Sequence, residues 1–264
     1  MIAALLGVVI GLVMGLTGAG GGILAVPALV FALGWTIPQA APVALIAVAG
    51  AAFLGALDGL RQGLVRYRAA LFMGAVGVSI APLGLKVASI APERVLLLGF
   101  ALAMVFVSGK MFRDARHEVA RGDGDLPPCQ LDPATGRLHW TPRTAVALGS
   151  IGAVSGFFTG LLGVGGGFVI VPALRRFSDI SMQGIVATSL AVIALVSTGS
   201  VIGAWLQGRD LSIAVAAPFA AGAVIGMVAG RFGARSLSPS FLQRLFAGVS
   251  AAVAIGLIAR AAYH

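Results

Sequence analysis

The sequence predicts an all-α integral membrane protein built as two repeats of four hydrophobic helical segments, with the first segment of each repeat broken at a glycine-rich stretch and the repeats inverted in the membrane. Three observations predict it. Hydrophobic residues make up 59% of the 264 and charged residues only 10%, against about a quarter charged in a soluble domain. The first charged side chain is Asp58, and later charge-free runs cover Thr144 to Leu174, Ile180 to Gly208 and Leu211 to Gly230, lengths that suit spans of roughly 20 residues. The two halves match at a constant offset of 145 positions, and internal duplication is common among secondary transporters.

The amino terminus, Met1-Ile2-Ala3, carries no basic region, and the apolar stretch runs on past any cleavage site, so the first segment reads as part of the mature protein rather than as a signal peptide. Charged and turn residues then divide the chain near 34–38, 58–68, 86–94, 110–143, 175–179, 207–210 and 231–240, leaving eight segments, four on each side of one long loop. Residues 1–112 form the first transmembrane repeat, 113–143 a polar linker and 144–264 the second repeat. The loop from Lys110 to Arg143 holds five of the nine acids (Asp114, Glu118, Asp123, Asp125, Asp132) and the run Leu126-Pro127-Pro128, the composition of a solvated linker. Its Cys129 is the one cysteine of the chain, which excludes an internal disulfide and a cysteine-based metal cluster. No cofactor or metal is expected.

The first segment of each half is too long for a simple span. Ile2 to Phe31, or Thr144 to Leu174, would run about 45 Å as helix against a hydrocarbon core near 30 Å. Each is interrupted, by Gly18-Ala19-Gly20-Gly21-Gly22 and by Gly163-Val164-Gly165-Gly166-Gly167. Consecutive glycines cost roughly 1 kcal/mol each inside a helix, so the chain should unwind at 18–22 and at 163–167 and fold back as a re-entrant hairpin. Positive charge arbitrates between this arrangement and eight complete crossings. Eight crossings divide Lys plus Arg 11 to 7 between the two sides, whereas re-entrant first segments put 61–68, the central loop, 175–176 and 231–244 together and divide them 14 to 4. The second arrangement leaves three full crossings per half, so the halves must be inverted.

The register holds beyond the glycines. Val26-Pro27-Ala28-Leu29 falls on Val171-Pro172-Ala173-Leu174, Gln62-Gly63 on Gln207-Gly208, Gly77 on Gly222 and Lys86 on Arg231. A Gly-x-Gly-Gly-Gly stretch followed four residues later by Val-Pro-Ala-Leu, present twice, resembles the sulfite exporter family TauE/SafE, and the resemblance covers nearly the whole chain except 113–143. It implies a membrane permease for sulfite, sulfonates or related sulfur compounds; composition and spacing do not themselves point to sulfur. The resemblance also leads one to expect an Ala-Thr-Ser-Leu-like run in each half. The second half has Ala187-Thr188-Ser189-Leu190, but the first reads Pro42-Val43-Ala44-Leu45, so any hydroxyl contribution would be one-sided.

An unwound glycine stretch exposes backbone N–H groups while the following half-helix points its positive end at the same spot, an arrangement suited to an anion. The alternative is close helix packing, since small residues also line membrane helix interfaces. The candidate substrate-binding residues are Gly18, Gly20, Gly21, Gly22 and Pro27 in the first half and Gly163, Gly165, Gly166, Gly167, Pro172, Thr188 and Ser189 in the second. Each proline removes a donor within the second half-helix and so frees a carbonyl. Gln62 and Gln207 read as interfacial residues, and Asp58 as a surface ion pair with Arg61, three positions on, or as a proton-coupling group. No lysine or arginine is expected inside the spans.

The net charge of +9 does not imply nucleic acid, because the basic residues are scattered between apolar segments with no aromatic platform beside them. An enzyme is not expected either: His117 and His139 sit in the central loop and His264 is the last residue, which leaves Ser155 without a histidine partner among the spans. The expected function is secondary transport of a small anion, a sulfur oxyanion or organosulfonate such as sulfite or sulfoacetate, in a bacterial cytoplasmic membrane. An anion channel with a glycine-rich re-entrant filter is the alternative. The partners implied are that substrate, the lipid bilayer and, at most, a second copy of the chain.

Overall fold

The computed structural model describes the chain except for residues 19–20, 117–128, 130–137, 210, 235–238 and 264. Among the described residues it is helical throughout: α1 (Ile2–Thr17), a 3-10 turn (Gly21–Leu24), α2 (Ala25–Leu33), α3 (Ile37–Arg61), α4 (Tyr67–Ile90), α5 (Glu93–Arg116), α6 (Pro142–Leu162), α7 (Gly167–Phe177), α8 (Met182–Leu206), α9 (Ile213–Ala234) and α10 (Pro239–Tyr263). Each expected first segment is therefore broken into two helices, of 16 and 9 residues in the first half and 21 and 11 in the second, because the glycines end α1 and α6 before either has used the apolar sequence that follows. Among the described residues six helices are long and apolar enough to cross a membrane: α3, α4, α6, α8, the Ile213–Gly233 part of α9 and the Arg244–Ala262 part of α10. Large apolar side chains such as Phe53, Leu102, Val146 and Ile225 lie exposed on the outside, where a bilayer rather than water must cover them.

Packing exchanges the halves. The first helix of each half lies along the third long helix of the other, α1 on α9 and α6 on α4, while α3 pairs with α8 and α5 with α10. Within lipid, helices associate through close contact rather than by expulsion of water, which favours glycine at the seam. Gly7, Gly11 and Gly15 of α1 meet the backbone of Phe219, Ala223 and Met227, and Gly222, Gly226 and Gly230 of α9 meet the backbone of Ala4, Val8 and Leu12. Gly152, Gly156 and Gly160 of α6 likewise abut Met73, Gly77 and Ala81 of α4. A methyl group at these positions would overlap main-chain atoms of the neighbouring helix, so the four-residue glycine spacing sets the separation of the helices.

Contacts also trace which residues share an end of the bundle. At the first end the Arg66 amide donates to Thr188 Oγ1 (3.0 Å), Arg231 pairs with Asp58, Gly184 lies against the Leu64 carbonyl and the Cys129 amide donates to the Phe177 carbonyl (3.0 Å). At the second end Arg209 donates to the Leu85 carbonyl (3.2 Å) and Arg260 to the carbonyls of Val30 (2.8 Å) and Gly34 (3.3 Å). Since α1 runs parallel to α9, it starts at the second end and reaches Gly18, beside Val186, near the first. The chain then turns, and α2 returns to Gly34 at the second end. By the same tracing α6 starts at the first end, where Trp140 stacks edge-on against Phe72 at 5.5 Å, and α7 returns there at Phe177. Both first segments are hairpins that enter and leave at one end.

Cys129 is buried, and its backbone pins the linker to the turn between α7 and α8, its carbonyl accepting from the Asp179 amide (3.4 Å). Burial first and the Asp179 carboxylate second push its thiol pKa above the ordinary value, so less thiolate is present at any pH than in an exposed cysteine. Maleimide labelling of the folded chain at pH 8 should run about tenfold or more below that of the chain unfolded in dodecyl sulfate. Equal rates would show that the linker does not hold this contact.

Candidate site at the junction of the two glycine breaks

α6 closes on Gly163, whose left-handed backbone (φ +72°) lets its amide reach the Thr159 carbonyl at 2.9 Å. Gly165 and Gly166 are also left-handed (φ +70° and +69°), and Gly166 is the N-cap of α7 with no side chain capping the helix. An L-residue costs about 1–2 kcal/mol in each such conformation, so this stretch can be built only of glycine at little strain. In the first half Gly18 ends α1 in a conformation that side chains avoid (φ +82°). The 3-10 turn then carries Gly21 back against Met14 of the same helix. The unwinding expected over 18–22 therefore does not extend to Gly21 and Gly22, which lie in the 3-10 turn, while Ala19 and Gly20 are outside the described residues.

The two breaks meet. A methyl group on Gly165 would lie 2.7 Å from Val48 Cγ1, 3.0 Å from Ile193 Cγ2 and 3.2 Å from Ser197 Oγ, and one on Gly22 would lie 3.4 Å from Val48 Cγ1 and 3.3 Å from the Val164 carbonyl oxygen. Val48 and Ile193 are equivalent at the offset of 145, and each stands near the middle of its long helix, α3 or α8. The junction therefore lies at mid-height in the bundle. Gly166 sits against Ser155 Oγ and Thr159 Oγ1 of α6. Thr159 uses its hydroxyl proton on the Ser155 carbonyl (2.7 Å), whereas Ser155 Oγ and Ser197 Oγ are fully buried without a hydrogen-bond partner among the described residues. At the head of α7 the amides of Val169 and Ile170 close on the Gly166 carbonyl (3.0 and 3.3 Å). Helix geometry leaves the N–H groups of the first turn without intrahelical acceptors there. Amide donors, a helix's positive end and two buried hydroxyls unpaired among the described residues thus lie around one spot.

Of the residues singled out in the sequence, the structure brings Gly22, Gly165, Gly166 and Gly167 to this junction. Gly20 lies outside the described residues. Gly163 packs against Ala41, and Gly18 and Gly21 against Val186 and Met14. Pro27 falls in the first turn of α2, where a missing N–H costs little; only Pro172, inside α7, opens a carbonyl as expected. Thr188 gives its acceptor to the Arg66 amide, while Ser189 Oγ is buried and unpartnered. Gln62 and Gln207 end α3 and α8 on the exposed surface. Ser155, Ser197, Val48 and Ile193 were not picked out as site residues. The signal that could have found the serines is their spacing on a helix face, not any motif.

A cavity of about 580 Å³ opens at the first end, between the last turn of α1, the end of α3, the start of α8 and the end of α9; Gly18, Asp58, Arg61, Val186 and Arg231 line it. Asp58 does not pair with Arg61. Its Oδ2 accepts from Arg231 Nη1 at 2.9 Å, and the same nitrogen donates to the Gly55 carbonyl at 3.2 Å. Helical spacing favoured Arg61, but Arg231 comes from the adjoining helix α9 with its stem packed, whereas Arg61 is exposed. Arg231 stands just beyond the charge-free run 211–230, in the last turn of α9.

A family model described as "Sulfite exporter TauE/SafE" matches residues 3–257. A "Probable membrane transporter protein" of Xylella fastidiosa (strain 9a5c) is 31% identical over 96% of this chain and 93% of its own. Its counterpart from strain Temecula1 / ATCC 700964 is 32% identical over the same shares. The "Probable membrane transporter protein YunE" of Bacillus subtilis (strain 168) is 28% identical over 76% of this chain and 77% of its own. No solved structure matches.

Proposed function

Because the chain belongs to the sulfite exporter TauE/SafE family of membrane transporters, we propose that it is a secondary carrier of a small anion, a sulfur oxyanion or organosulfonate such as sulfite or sulfoacetate, bound at mid-membrane where the two glycine breaks meet. The observation that carries this reading is the convergence of both breaks on Val48, with Ile193 against Gly165, beside the uncapped head of α7. Among the described residues no arginine or lysine lies against Gly22, Gly165 or Gly166. The anion's charge is met by amide dipoles and the hydroxyls of Ser155 and Ser197, which replace its hydration shell. Such a site holds its ligand modestly, as a carrier must in order to release it.

The exchange of partner helices, with α1 and α6 rising from opposite ends, supports reading the halves as inverted repeats. Rocking one repeat against the other then exposes the junction alternately, on the first end through the cavity beside Gly18. Packing of the glycines directly onto Val48 and Ile193 favours this over a continuously open pore. The bundle end rich in Lys and Arg faces the cytoplasm of a bacterial cell in this reading.

The test is flux into proteoliposomes of sulfite, sulfate, sulfoacetate, an amino acid and potassium ion. Saturable, slow uptake of the sulfur anions alone is the expected result. Preference for the cation or the neutral solute, or flux that rises linearly with concentration as through a channel, would overturn it.

A further inference from the structure

Among the described residues, four serine hydroxyls on the two helices that flank the junction are buried without a hydrogen-bond partner: Ser155 on α6 and Ser189, Ser197 and Ser200 on α8. Unpaired hydroxyls are costly in a dry interior and are seldom left without a reason. The three on α8 are not scattered. Residues 189, 193, 197 and 200 recur at steps of four, four and three, so they share one face of the helix. That face has two known neighbours. At its lower part Val186 borders the cavity and touches Gly18, and at its middle Ile193 and Ser197 touch Gly165. Ser189 stands between the cavity and the junction, and Ser200 lies one turn beyond the junction toward the second end.

The equivalent positions of the first half are Ala44, Ala52 and Gly55, and that of Ser155 is Ile10. Among the described residues the unpartnered hydroxyls beside the junction thus come from the second half alone.

We propose that this face of α8 is the path along which the substrate's oxygens move, with Ser189, Ser197 and Ser200 as successive hydrogen-bond donors before, at and beyond the site, and with selectivity for oxyanions set by the second repeat alone. The inference rests on the carrier reading above. An anion that leaves water keeps at least one hydroxyl contact at each stage, over a rise of roughly 16 Å between residues 189 and 200. The first repeat supplies the apolar wall against which it slides.

Ser189→Ala, Ser197→Ala and Ser200→Ala tested in proteoliposomes with sulfite and sulfoacetate, alongside thermal unfolding of each purified variant, decide it. The expected result is a loss of flux of about tenfold or more for each variant, with Tm unchanged or raised because an unsatisfied buried hydroxyl has been removed. Where an alanine variant does not insert, the near-isosteric Ser→Cys, a weaker donor, is expected to show the same loss. Full flux in all three variants overturns the path and leaves the carrier reading standing. A fall in Tm that accounts for the lost flux shows the serines to be structural and also overturns it. A wild-type protein that carries none of the anions sinks both.

Discussion

Replacing Gly165 by valine is expected to lower anion flux by roughly a hundredfold, equivalent to about 3 kcal/mol, while the protein still inserts and purifies as a single species. Gly165 is left-handed, and what a side chain there would meet are side chains rather than main chain: Val48, Ile193 and the Ser197 hydroxyl. Those neighbours can yield, so the fold survives. The space they give up is the anion's, and the valine also brings about 1–2 kcal/mol of backbone strain. Gly156 provides the contrast. It is buried in the middle of α6, and its substituent would run into the backbone of Gly77, so Gly156→Val should abolish assembly itself. Flux assays paired with size-exclusion profiles separate the two. If both valine variants lose assembly together, and Gly165→Ala carries anion like the wild type, the glycine break is only packing.

In intact cells of a variant lacking Cys129, a membrane-impermeant maleimide is expected to label Ile90→Cys and Gln207→Cys at once, and Gln62→Cys and Met182→Cys only after permeabilisation. The bundle places Gln62 and Met182 together at the first end, lining the cavity. Arg209, two residues beyond Gln207, reaches the end of α4 at the other. Of the 18 basic residues, 14 lie in the stretches assigned to the first end, leaving Lys86, Arg94, Arg209 and Arg260 for the second, a division that orients it toward the cytoplasm. Eight complete crossings would instead put Gln62 and Gln207 on the same side. Labelling of both in the same fraction would therefore refute the hairpins.

Much of this was legible beforehand. The all-helical membrane fold and the ends of α1 and α6 at their glycine runs follow from hydropathy and from glycine's cost inside a helix, and those effects act locally along the chain. The charge pair was not legible. Asp58 and Arg231 are far apart in sequence, and only the docking of α9 along α3 brings them to 2.9 Å. The glycines spaced by four in α1, α6 and α9 could have been read as seams, but which seam meets which cannot be counted from spacing.

The sequence by itself determined that this chain is a helical membrane protein and that α1 and α6 must end at their glycine runs, since hydropathy and the intolerance of helices for consecutive glycines are properties of the chain alone. Only the tertiary structure decided that the two breaks meet each other, with Val48 and Ile193 between them, and that the hydroxyls around them come from one half. The reason is physical: both depend on the exchange of α1 and α6 between halves, and that exchange is set by the close backbone contact of glycine seams lying more than a hundred residues apart.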